Sequence, residues 1–149
     1  MAEIMLVRHA ENDWVRTGKL AGWTPGVHLN EHGRLQAAAL AERLSTMRIA
    51  AIYSSPLERT LETAEAIAAH CPGMTVQSLD ALGEVRFGAW QGQPLRKLRR
   101  EPLWRLVQTY PSRVVFPGGE SFREAQLRAV GALETLAGRH ARQRIVVVS

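Results

Sequence analysis

Residues 3–12 have the sequence EIMLVRHAEN, in which an apolar run is followed at once by an arginine and a histidine. The run over residues 3–8 predicts a short buried β-strand. Arg8 and His9 then stand where that strand ends. Open α/β sheets bind their ligands beyond the carboxyl ends of parallel strands. This stretch therefore predicts a functional edge at residues 8 and 9, provided that the rest of the chain builds a parallel sheet.

Helices and strands alternate along the rest of the sequence. Helices are predicted over 33–47, from Ser54-Ser55-Pro56 to a stop at 71–73, over 95–108 and over 122–139, and strands over 51–53, 75–79 and 144–149. Ser followed by Pro is a typical helix start, and Ser121 with Glu124 three residues later predicts a capping box. Alternation of this kind is typical of an α/β fold, so we expect a three-layer αβα sandwich around a mainly parallel sheet.

Length and composition are those of one globular domain. The chain has 149 residues, of which 46% are hydrophobic and 22% are charged, so we expect a single domain over residues 1–149. No apolar run approaches the roughly 20 residues of a membrane-spanning helix, and the first residues lack the basic start of a signal peptide. Cys71 is the only cysteine, which excludes an internal disulfide and a cysteine-based zinc site. These features predict a cytoplasmic protein without a membrane segment.

The basic residues are almost all arginines. The formal net charge is +5, and Lys19 and Lys97 are the only lysines among 19 basic residues. Arginine favours bidentate recognition of oxyanions, which fits a pocket for a small anion, with a solvated basic surface as the alternative. Only Trp104 stands near the densest basic cluster for base stacking, so a nucleic-acid partner is not expected. That cluster contains Arg96, Lys97, Arg99, Arg100 and Arg105.

Five short motifs follow one another over most of the chain. They are LVRHAE at 6–11, LNEHGRLQA at 29–37, SSPLERTLETA at 54–64, EVRFGAWQG at 84–92 and FPGGES at 116–121. In this order they resemble the signatures of the histidine phosphatase superfamily, in its phosphoglycerate-mutase-like branch. The segment 101–119 resembles a bacterial subgroup described as probable phosphomutases. The resemblance implies the phosphoglycerate-mutase-like form of the α/β sandwich.

The resemblance assigns a role to four residues. His9 would be the nucleophile that takes up the phosphoryl group, and a neutral imidazole suits that role because its ordinary pKa lies near 6.5. Arg8 and Arg59 would bind the phosphoryl oxygens in place of Mg²⁺, so the resemblance implies no metal and no cofactor. Glu84 would protonate the leaving oxygen and later deprotonate the attacking water. By position alone, Arg59 could instead be a solvated helix charge and Glu84 an exposed loop carboxylate.

Further positions in the motifs concern the substrate. Asn12 takes a place where the family usually carries Ser and could bond a phosphate oxygen, and Gly22 keeps its usual place. Val15 and Ala21 stand where the family usually carries polar residues, and Phe87 stands where true mutases tend to carry Tyr. The resemblance therefore implies a pocket that has lost polar contacts for a bisphosphorylated acid, which favours a phosphatase over a mutase.

The resemblance also implies a part of the fold that this sequence does not contain. Family members continue the fourth strand with Ser-His-Gly, and that second histidine supports the phosphoryl group, whereas the sequence here ends at Ser149. We therefore expect a C-terminally incomplete domain that lacks its last quarter and shows weak activity or none alone. Three functions stay open: a phosphomonoester hydrolase with a phosphohistidine intermediate on His9, a phosphoglycerate-mutase-type phosphomutase, and a non-catalytic phosphoryl-binding relative. The expected partner is a small phosphorylated metabolite, and the sequence indicates no oligomeric state.

Overall fold

Four parallel strands form one sheet in the computed structural model, which describes all residues from Met1 to Ser149. They are β1 (Glu3–Val7), β2 (Ala51–Ser54), β3 (Val76–Ser78) and β4 (Arg144–Val148), and their order in the sheet is β1-β4-β2-β3. Val148 pairs with Val7 on one side and with Ser54 on the other. The carboxyl ends of three strands are therefore level, and the residues that follow them meet at one edge of the sheet.

Six α-helices and three short 3₁₀ turns connect the strands. The helices are α1 (Asp13–Arg16), α2 (Glu31–Leu44), α3 (Glu58–Ala68), α4 (Leu95–Leu98), α5 (Pro102–Thr109) and α6 (Phe122–Arg139), and the turns are Asp80–Leu82, Gly88–Trp90 and Pro111–Arg113. None of these helices combines the length and the hydrophobicity needed to cross a membrane.

The sheet is covered on both faces, because successive strand residues point to opposite sides. On one face, Val146 packs with Leu44 of α2 and Ile67 of α3. On the other face, Val147 packs with Leu136 of α6. Burying one such side chain contributes about 1.5–3 kcal/mol. The predicted three-layer αβα sandwich around a parallel sheet is confirmed.

A third hydrophobic cluster lies outside the sheet, in the segments that follow β3. Phe116 lies edge-on to Phe87 and to Trp90, with ring centroids 5.0 and 5.4 Å apart. This cluster anchors the segment 84–92, which carries one of the predicted site residues. Its buried members are Phe87, Trp90, Leu98, Val114 and Phe116.

β1 is an edge strand and not the buried strand that its apolar run predicts. It pairs with β4 on one side only, and Leu6 is 69% exposed. A strand with a single neighbour is covered less than a central strand such as β2 or β4. The prediction of a strand is confirmed, and the prediction of its burial is wrong.

The predicted start of α3 is also wrong. α3 begins at Glu58, after the extended residue Leu57, and no side chain caps it. The expected caps are engaged elsewhere, because the Ser55 N–H donates to the carbonyl of Val148 at 2.9 Å. The Ser55 hydroxyl lies 2.7 Å from Thr60 Oγ1. Leu57 is extended, so the helix begins only after it.

Proline also breaks the helix predicted over 95–108 into α4 and α5. Pro102 has no N–H to donate and holds Glu101 in an extended conformation. The helix predicted over 33–47 begins two residues earlier, at the side-chain cap of Asn30, and ends at Leu44. The capping box at the start of α6 is confirmed, since Ser121 Oγ accepts from the Glu124 N–H at 3.1 Å.

Candidate active site

All six residues that the sequence singles out line one cavity of about 220 Å³ at the carboxyl edge of the sheet. The segment after β1, the start of α3 and the loop after β3 supply the charged members. The structure therefore brings the predicted residues together, while their chemical roles remain predictions. They are Arg8, His9, Asn12, Gly22, Arg59 and Glu84, and Val15, Gly18, Lys19, Leu20, Ala21 and Leu95 complete the lining.

His9 is held with one ring nitrogen free. Its backbone N–H donates to the carbonyl of Ser149 at 2.9 Å, at the end of β4. Its Nδ1 lies 2.8 Å from the carbonyl oxygen of Ala10. A carbonyl only accepts hydrogen bonds, so Nδ1 carries the proton and Nε2 carries the lone pair. The ring is half-buried and lines the cavity.

Burial lowers the pKa of His9 below its ordinary value of 6.5, and the positive charges of Arg59 and Arg8 lower it further. The hydrogen bond to Ala10 and the negative charge of Glu84 act in the opposite direction. The net shift favours the neutral ring. A neutral imidazole with a free Nε2 can act as a nucleophile.

The guanidinium group of Arg59 is buried, and one of its nitrogens has no hydrogen-bond partner in the protein. It lies in the first turn of α3, and only 2% of its surface is exposed, which excludes a solvated helix charge. Its Nη2 donates to the carbonyl of Gly22 at 3.0 Å, whereas its buried Nη1 has no hydrogen-bond partner in the protein. Burial lowers the pKa of Arg59, and the charges of Glu84 and Glu58 raise it. Guanidinium stays protonated in proteins, so this group brings a positive charge and an unused donor to the cavity.

Asn12 supplies a second unused donor. It is fully buried, and its Oδ1 accepts from the Val15 N–H at 2.9 Å. Its Nδ2 has no hydrogen-bond partner in the protein. A buried donor without a partner costs about 1–3 kcal/mol. Asn12 and Arg59 line the same cavity, and each has a donor to which the protein offers no acceptor.

Arg8 and Lys19 add two exposed positive charges to the cavity lining. Neither forms an ion pair with an acidic side chain of the chain. Glu84 is the only acidic residue in the lining. The cavity therefore carries a net positive charge suited to a phosphate ester.

Gly22 is required by close packing. Its φ is +53°, and a Cβ there would lie 3.0 Å from Gln91 Oε1 and 3.1 Å from Phe87 Cδ2. Its carbonyl accepts the bond from Arg59 described above. Gly22 thus positions Arg59 as well as lining the cavity.

Glu84 has one carboxylate oxygen engaged and one free. Oε1 accepts from the Val85 N–H at 2.8 Å, and the protein provides no donor to Oε2. The Glu84 carbonyl accepts from Trp23 Nε1 at 2.6 Å, which fixes the loop from one side. Trp23 is in turn covered by the Arg86 guanidinium, 3.9 Å from its ring centroid. Glu84 is half-buried as a residue, not the exposed loop residue that its position alone suggests.

The sequence reasoning finds part of the remaining lining. Val15 and Ala21, expected to make the pocket apolar, do line the cavity. Phe87 does not; it packs in the cluster with Phe116. Leu20 and Leu95 also line the cavity, but the sequence does not predict this because they are ordinary apolar residues outside the five motifs and the substrate positions. Leu20 and Leu95 are brought to the cavity by a backbone contact between distant segments, in which the Leu20 N–H donates to the carbonyl of Gln93 at 3.0 Å.

His28, His140 and a wider groove lie away from this site. His28 pairs with Glu62, and His140 Nε2 lies 2.8 Å from the hydroxyl of Tyr53. A groove of about 860 Å³ opens at the amino ends of the strands, with Arg48 on its lining, and contains neither a histidine nor a member of the predicted set. No group of three His, Cys, Asp or Glu side chains is placed to hold a metal ion.

Comparison with known proteins places these features in one family. The family model for the histidine phosphatase superfamily (branch 1) matches residues 4–149. Phosphoserine phosphatase 1 of Hydrogenobacter thermophilus is 38% identical, over 100% of this chain and 71% of its own. Two Arabidopsis thaliana proteins are 39% and 37% identical: phosphoglycerate mutase-like protein 4, over 99% of this chain and 66% of its own, and a metal-independent phosphoserine phosphatase, over 100% and 64%.

The fold agrees with this comparison. The crystal structure of phosphoserine phosphatase from Entamoeba histolytica, in complex with 3-phosphoglyceric acid, superposes with a TM-score of 0.88 at 28% identity, over 100% of this chain and 74% of that one. The chain thus spans about two thirds of the length of the curated relatives. Because the family model matches residues 4–149, the chain belongs to branch 1 of the histidine phosphatase superfamily.

Proposed function

We propose that residues 1–149 form one catalytic domain of a phosphomonoester hydrolase that works through a phosphohistidine on His9. The observation that carries the proposal is the pair of buried, unpartnered donors on Arg59 and Asn12, which line the same cavity as the neutral ring. Donors that the protein leaves unpaired indicate a ligand rich in oxygen acceptors. A phosphoryl group bound there would lie beside the free Nε2.

In the first step, Nε2 of His9 attacks the phosphorus atom of the ester. The N–P bond forms as the P–O bond to the leaving group breaks. Arg8 and Arg59 stabilise the charge on the phosphoryl oxygens. A protonated Glu84 gives its proton to the leaving oxygen, so that an alcohol departs. The ring becomes positively charged, and the bond from Nδ1 to the Ala10 carbonyl stabilises that charge.

In the second step, water attacks the phosphorus atom and the N–P bond breaks. The Glu84 carboxylate, left by the first step, accepts a proton from the water. Inorganic phosphate leaves, and His9 returns to its neutral form. The two steps together convert ester and water into alcohol and phosphate, with no net change in the protein.

We propose that the reaction needs no metal ion. Arg8 and Arg59 bring two positive charges to the site, and guanidinium groups bind phosphoryl oxygens in bidentate fashion. The Arabidopsis thaliana relative named as metal-independent supports the same view.

We also propose a cytoplasmic location. The single cysteine, Cys71, supports a cytoplasmic setting, where thiols stay reduced.

The substrate that fits best is a small phosphorylated metabolite. The cavity of about 220 Å³ is smaller than the roughly 300–1,000 Å³ of sites for drug-sized ligands. The Entamoeba histolytica neighbour binds 3-phosphoglyceric acid in one structure and phosphoserine in another. Both are small phosphate esters with a carboxylate, and Lys19 could attract that carboxylate.

The experiment measures phosphate release and product identity with phosphoserine and 3-phosphoglycerate. We expect weak turnover by this chain alone, which His9→Ala reduces by about 10-fold or more and which the exposed control His70→Ala leaves unchanged. Full activity of His9→Ala would refute the nucleophile. Isomerised 3-phosphoglycerate without phosphate release would favour the mutase that the mutase-like relative suggests. Tight phosphate binding without turnover would favour a non-catalytic relative.

A further inference from the structure

Arg128 lies on α6 and uses every N–H of its guanidinium group. Nη1 donates to the carbonyls of Ala81 and Gly83 at 2.9 and 2.7 Å. Nη2 donates to the carbonyl of Glu84 at 2.8 Å and to the Glu120 carboxylate. Nε donates to the other Glu120 oxygen at 3.1 Å. A guanidinium has five N–H donors, so Arg128 is saturated by three carbonyls of the loop that carries Glu84 and by the Glu120 carboxylate.

The charge of Arg128 is balanced in the same contact. Its partner Glu120 is largely shielded from solvent, as is Arg128 itself. The hydrogen bonds from Arg128 hold the pKa of Glu120 below its usual range. A paired, partly buried carboxylate and guanidinium form short, geometrically specific hydrogen bonds. Arg128 is therefore held in one orientation.

Glu120 extends the contact to the other side of Glu84. Its carboxylate accepts from the Arg86 N–H at 2.8 Å, and its own N–H donates to the Arg86 carbonyl at 2.9 Å. Gly119 permits this approach, since a Cβ there would lie 2.0 Å from the Arg86 carbonyl oxygen. The backbone on both sides of Glu84 is thus bonded to Arg128 or to Glu120.

We infer that Arg128, with Glu120, is a positioning residue for Glu84. The Glu84 side chain has a single hydrogen bond, to the adjacent Val85 N–H. The place of its free oxygen is therefore set by the backbone that Arg128 holds. This inference rests on the proposed role of Glu84 as the general acid, which depends on placing a proton within reach of the leaving oxygen.

The test compares two esters that differ in their need for an acid. Phosphoserine must leave as an alcohol, whereas 2,4-dinitrophenyl phosphate leaves as a stable anion. Arg128→Gln is expected to lower kcat/KM, which reports the step that expels the leaving group, about 10-fold or more on phosphoserine and less than about 3-fold on the dinitrophenyl ester, the pattern expected of Glu84→Gln. Arg123→Gln, an exposed change on the same helix, should alter neither. Arg128→Lys keeps the charge but has fewer donors, and should show the same pattern more weakly.

A second readout does not need turnover. Amide hydrogen exchange over residues 81–87 should be faster in Arg128→Gln than in the unaltered chain, and unchanged in Arg123→Gln. Equal losses of kcat/KM on both esters, or unchanged exchange in this segment, would overturn the inference. If the unaltered chain neither hydrolysed an ester nor formed a phosphohistidine, the proposed function would fail, and the exchange comparison alone would decide whether Arg128 positions Glu84.

Discussion

The Nδ1 atom of His9 lies 2.8 Å from the carbonyl oxygen of Ala10, the next residue in the chain. This contact leaves Nε2 as the nitrogen with a lone pair, in a cavity that Arg8, Arg59 and Asn12 also line with donors. The same surroundings determine how the ring titrates, because burial and two guanidinium charges act on it together.

We predict that His9 titrates below pH 6.5, its ordinary value, because burial and then Arg59 and Arg8 lower its pKa. The neutral ring is active, so the fall of kcat/KM on the acid side should lie in that more acidic range. The unfolded chain binds this proton more tightly, so the contribution to stability is lost as pH falls from 6.5 towards the folded pKa. Proton NMR of the imidazole measures the value. Arg59→Met should raise it and the exposed Arg43→Met should not; a pKa at or above 6.5 in the unaltered chain would contradict the prediction.

Inorganic phosphate should stabilise the folded chain by filling the cavity. A ligand at 100 times its Kd adds about 2.7 kcal/mol to the free energy of unfolding. Thermal melts with and without phosphate should show a rise in Tm that Arg59→Met and Asn12→Asp reduce or abolish, since each removes a buried donor. Arg43→Met should keep the full rise. An equal rise in all four proteins would place phosphate elsewhere.

Two glycines should respond to alanine in opposite directions. A Cβ at Gly119 would lie 2.0 Å from the Arg86 carbonyl oxygen, whereas a Cβ at Gly131 meets no atom within 4 Å. Gly119→Ala should therefore lower the free energy of unfolding by about 1–3 kcal/mol. Gly131→Ala, inside α6, should raise it by about 0.5–1 kcal/mol. Urea denaturation measures both, and a neutral Gly119→Ala would show that the two loops do not approach so closely.

The capping box of α6 gives a further stability prediction. Ser121→Ala removes the side chain that accepts from the Glu124 N–H. The loss should be about 1 kcal/mol, the usual worth of a serine cap. The exposed change Ser112→Ala serves as the control in the same denaturation experiment. A Ser121→Ala protein as stable as the control would mean that the cap does not contribute.

The sequence predicts where the site lies better than it predicts the residues that hold the site residues in position. Arg8 and Arg59 are far apart in the chain, yet each follows a parallel strand, so topology alone brings them to one edge. Arg128 lies in the middle of α6 and donates to the carbonyl of Glu84, which is 44 residues earlier in the chain. No local sequence pattern predicts a contact between residues so far apart. The start of α3 was missed for a similar reason, since the bond from the Ser55 N–H to Val148 depends on sheet pairing.

The most direct measurement of the central claim is to mix the chain with phosphoserine, quench in alkali, and locate the phosphoryl group by mass spectrometry and NMR. The account predicts one phosphoryl group on Nε2 of His9, absent from His9→Gln and retained in His70→Gln. No adduct, an adduct on another side chain, or phosphorylation of Nδ1 would contradict it.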